Sequence, residues 1–127
     1  MTTITPGRDA AQRMLARLDE EIERQVALGA PPHSIEVTRA LMRATLTSLG
    51  DMIDREADVP EMMAAFEIAF TEAITTMLRT VLAQQAVMTP DAAAPVLLLH
   101  ILRGVERRLE GEPWGAEAIH YPEIGHA

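Results

Sequence analysis

The chain has no cysteine and no lysine among its 127 residues. The first absence excludes disulfides, thiolate nucleophiles and thiolate metal sites. The second removes Schiff-base chemistry and the lysine that a P-loop sets against phosphate. Aromatic residues make up only 3% although 48% of the chain is hydrophobic, so burial has to come from Leu, Ile, Val, Ala and eight Met. Arg or Glu interrupts the apolar runs well short of the roughly 20 residues of a membrane span, which predicts a soluble protein. Residues 1–8 show no basic segment followed by an apolar one, so no secretory signal is read and a cytoplasmic location is expected.

All eleven basic residues are Arg, set against nineteen Asp and Glu for a net charge of −8. The acids gather at Asp19, Glu20, Glu21 and Glu23 and again at Asp51, Asp54, Glu56, Asp58 and Glu61. Neither cluster suits a phosphate backbone, and Arg103, Arg107 and Arg108 are too short a basic group to suggest nucleic-acid binding.

Periodicity points to helices. Ala11, Met14, Leu15, Leu18, Ile22 and Val26 recur every three or four positions between Thr5-Pro6, a cap-plus-Pro start, and Gly29, a stop. This predicts a first helix over Pro6 to Leu28. Pro31 and Pro32 interrupt, and Ser34 offers a cap for a second helix from about Ile35, whose stripe of Ile35, Leu41, Met42, Leu46, Leu49 and Ile53 runs on past Gly50. Asp58 with Glu61 resembles a capping box for a third helix over Val59 to Val87, where Pro60 is tolerated in the first turn. Its apolar stripe is wide, which predicts contact on two sides. Thr89-Pro90-Asp91 starts a fourth helix that runs to about Leu109, with Pro95 as either a kink or a later start.

The expected fold is therefore all-α, with about four antiparallel helices in an up-down bundle over residues 1–110 and an irregular C-terminal extension over 111–127. On the fourth helix Leu98, Ile101, Leu102, Val105 and Leu109 are expected to form the buried stripe, leaving His100, Arg103 and Arg107 accessible.

Several chemistries can be weighed against these placements. His100-Ile101-Leu102-Arg103-Gly104 resembles the histidine phosphotransfer signature His-x-Leu-Lys-Gly, with Arg103 in the place of Lys. The resemblance implies a phosphoacceptor at His100, charge relief from Arg103, clearance at Gly104, and a receiver domain as partner. The chain departs from that family at Val105, where a small residue is usual, and in carrying the His on its last helix. Glu117-x-x-His120 and Glu123-x-x-His126 have the spacing of di-iron ligands, but Pro122 and Gly125 deny them one continuous helix, so no metal site is expected. The Asp54, Glu56, Asp58 run lacks the Gly and the closing Glu of a calcium loop, since Val59 and Ala65 stand there. Ser34 and Ser48 are the only serines and neither sits on a strained turn.

These readings assign no catalytic residue and no cofactor. The Met side chains admit a small apolar-ligand pocket as one alternative. The favoured expectation is an interaction, regulatory or assembly protein, non-catalytic and homodimeric or bound to another protein. Phe66, Phe70, Val96, Leu99, Trp114 and Tyr121 are its interface candidates.

Overall fold

Helices occupy most of residues 5–84 and 88–112, the part of the chain described by the computed structural model. There are four: α1 (Pro6–Ala27), α2 (Pro32–Asp54), α3 (Val59–Leu82) and α4 (Pro90–Leu109). No strand occurs among the described residues. The fold is all-α, as the 3.6-residue periodicity requires.

The ends of the helices follow local chemistry. Gly29 and Gly111 take φ of 86° and 94° just beyond α1 and α4, a left-handed conformation that glycine adopts without strain. An Asp58 carboxylate oxygen accepts the Glu61 N–H at 2.9 Å, and the Thr89 hydroxyl accepts the Ala92 N–H at 3.3 Å. Pro95 lies inside α4, which starts at Pro90. Gly50 lies inside α2, which runs on to Asp54.

One start and one cap differ from expectation. Helix α2 begins at Pro32, so Ser34 lies inside its first turn and caps nothing. Proline is at home at the first helical position because the N–H it lacks has no intrahelical partner there, while Pro31 stays extended ahead of it. At α1 Thr5 is the N-cap residue, but its hydroxyl makes no capping bond. The cap comes from the far end of α2, where the two Asp54 carboxylate oxygens accept the Gly7 N–H at 2.8 Å and the Arg8 N–H at 2.9 Å. A carboxylate there satisfies two otherwise orphaned donors and meets the positive end of the helix dipole. Replacing it (Asp54→Ala) is expected to lower stability by about 1–2 kcal/mol in urea denaturation. An unchanged midpoint would mean that water serves those N–H groups equally well.

The chain divides into two compact units, Met1–Phe66 and Glu67–Ala127. In the first, α1 and α2 pack antiparallel along their length. Gly7 meets Gly50 and Asp54, Ala11 meets Gly50, and Asp19 pairs with Arg43 at 3.1 Å. Ala11, Ile22, Ile35 and Leu46 are buried in this unit, and Ile22 is fully enclosed. The Asp19–Arg43 pair is about half exposed at both ends, so it contributes at most about 1 kcal/mol and mainly marks the register. The second unit has a smaller core. Leu78 of α3 packs with Ala93 and Leu97 of α4, surrounded by Ile74, Leu82, Met88 and Ala94. No described helix is long and apolar enough to cross a membrane.

Candidate functional site: an exposed apolar surface on α3 and α4

The core of the second unit uses only the connected ends of α3 and α4, and that decides which face of α4 is buried. Ala93 and Leu97 turn toward α3, at 2% and 8% exposure. The richer stripe, expected to be the buried one, is not. Leu98, Ile101, Leu102, Val105 and Leu109 are 41–83% exposed. At 100° per residue Leu98 and Leu102 lie about 100° or more around the helix from Leu97, so a helix that covers one set leaves the other in water. Gly104 shares the Ala93–Leu97 face, about two turns beyond Leu97. A Cβ placed there would meet nothing within 4 Å, so the contact with α3 has ended by that point.

The wide stripe on α3 behaves in the same way. Leu78 is its only buried residue, while Ile68, Phe70, Met77 and Val81 of the second unit are 40–67% exposed. Of the residues expected at an interface, Phe66 and Val96 are half-buried, and Phe70 and Leu99 are exposed. Trp114, Tyr121 and both Glu-x-x-His pairs lie outside the described residues.

Exposed apolar residues scattered singly are ordinary on a protein surface, but a contiguous patch beyond a few hundred Å² marks a contact site. Here six exposed Leu, Ile and Val side chains fall within one helix of 20 residues. Four more exposed apolar residues of the second unit stand on α3, with Ile68 on the opposite side of that helix from Phe70, Met77 and Val81.

The other candidate chemistries find less support in the geometry. His100 and Arg103 are exposed one turn apart on α4, accessible as expected, with Gly104 half-buried beside them. No catalytic partner for the imidazole is drawn in around it by the described residues. Among the described residues no three His, Asp or Glu side chains converge on a position that could hold a metal ion. A shallow cavity of about 230 Å³ lies between α1 and α2, lined by Arg8, Ala11, Gln12, Leu15, Thr47 and Asp51. None of the methionines that suggested a ligand pocket lines it. Asp54, which sequence reasoning weighed in an acidic cluster and a rejected calcium loop, is the residue whose role it missed, because the groups it caps lie 46 and 47 positions away.

No protein-family model, curated protein or solved structure matches this chain.

Proposed function

We propose that the chain is a small, non-catalytic helical interaction or assembly protein that forms a homodimer through α3 and α4. The observation that carries this reading is the exposed Leu98, Ile101, Leu102, Val105 and Leu109 stripe of α4. Sequence periodicity of this quality normally accompanies burial, and leaving it in water forgoes about 25 cal/mol for each Å² of apolar surface. A second copy supplies the same surface, and a two-fold axis makes any such face complementary to itself in kind.

Phosphotransfer through His100 and binding of a small apolar ligand are the weaker readings. The first rests on one and a half turns of helix, and none of the methionines that suggested the second lines the cavity between α1 and α2.

The homodimer is tested by light scattering coupled to size exclusion over a wide range of protein concentration. The expected mass is twice that of the chain, falling toward the monomer only on strong dilution. A monomer at every concentration would remove this reading.

A further inference from the structure

We draw no further inference here: the strongest candidate, the shallow cavity between α1 and α2, carries nothing because none of its polar lining side chains, Arg8, Gln12, Thr47 and Asp51, is buried, and nothing in the structure shows what would fill it.

Discussion

Gly50→Ala lowers the stability of the chain by about 1–3 kcal/mol in urea denaturation, the opposite of what the same change does in an ordinary helix interior. Replacing a helical glycine by alanine normally gains about 1 kcal/mol, because the unfolded chain loses freedom and the helix gains propensity. At Gly50 that gain is outweighed. The new Cβ would stand 2.7 Å from the Gly7 carbonyl oxygen and 3.0 Å from the Ala11 Cβ. The obstacle is largely backbone, so α1 and α2 have to separate along with the Asp54 cap that sits at the same end. Gly104→Ala is the matched control, a helical glycine whose added Cβ enters open space. It is expected to stabilise by about 0.5–1 kcal/mol. If Gly50→Ala stabilised equally, the close approach of α1 and α2 at Gly7 would be refuted.

That contrast also shows which parts of the architecture can be read in the sequence. Thr89-Pro90, Asp58, Gly29 and Gly111 mark boundaries because a cap or a left-handed glycine acts on residues within one turn of itself. The persistence of the α2 stripe through Gly50 was legible for the same reason, but the purpose of the glycine was not, since it is set by Gly7 and Ala11 on another helix. The Asp54 cap is invisible for the same cause. Ser34 misled because local preference favours a serine cap, whereas Pro32 at the first helical position already lets the turn begin two residues sooner.

The candidate surface was half legible. Periodicity found the Leu98–Leu109 stripe correctly but assumed that a stripe this regular is covered within its own chain. Which of two adjacent apolar faces a helix buries depends on where its neighbour lies. Leu78, Ile74 and Leu82 reach Ala93 and Leu97 and stop there. His100 and Arg103 are accessible as expected, although the expectation rested on burial of the Leu98–Leu109 stripe, which is itself exposed.

The double variant Leu98→Glu/Leu102→Glu separates these two senses of an apolar stripe. If the stripe were core, two carboxylates in it would unfold the second unit, as Leu97→Glu should, since Leu97 is 8% exposed and packs on Leu78. Leu98 and Leu102 are 49% and 54% exposed. In the isolated chain their replacement is a surface change, worth within about 0.5 kcal/mol, and helix content stays as it was. In the dimer each substitution counts twice, so four leucine contacts are lost and four carboxylates enter the interface. Losing even about 1 kcal/mol at each of the four weakens association roughly a thousandfold. The expected result is a fully helical monomer by light scattering and circular dichroism at concentrations where the unaltered chain is dimeric. Retention of the dimer would show that α4 is not its interface, and loss of helix content would show that the stripe is buried within the chain after all. Stability and association therefore move independently at these two leucines and together at Leu97, a difference that follows from one residue's rotation around α4.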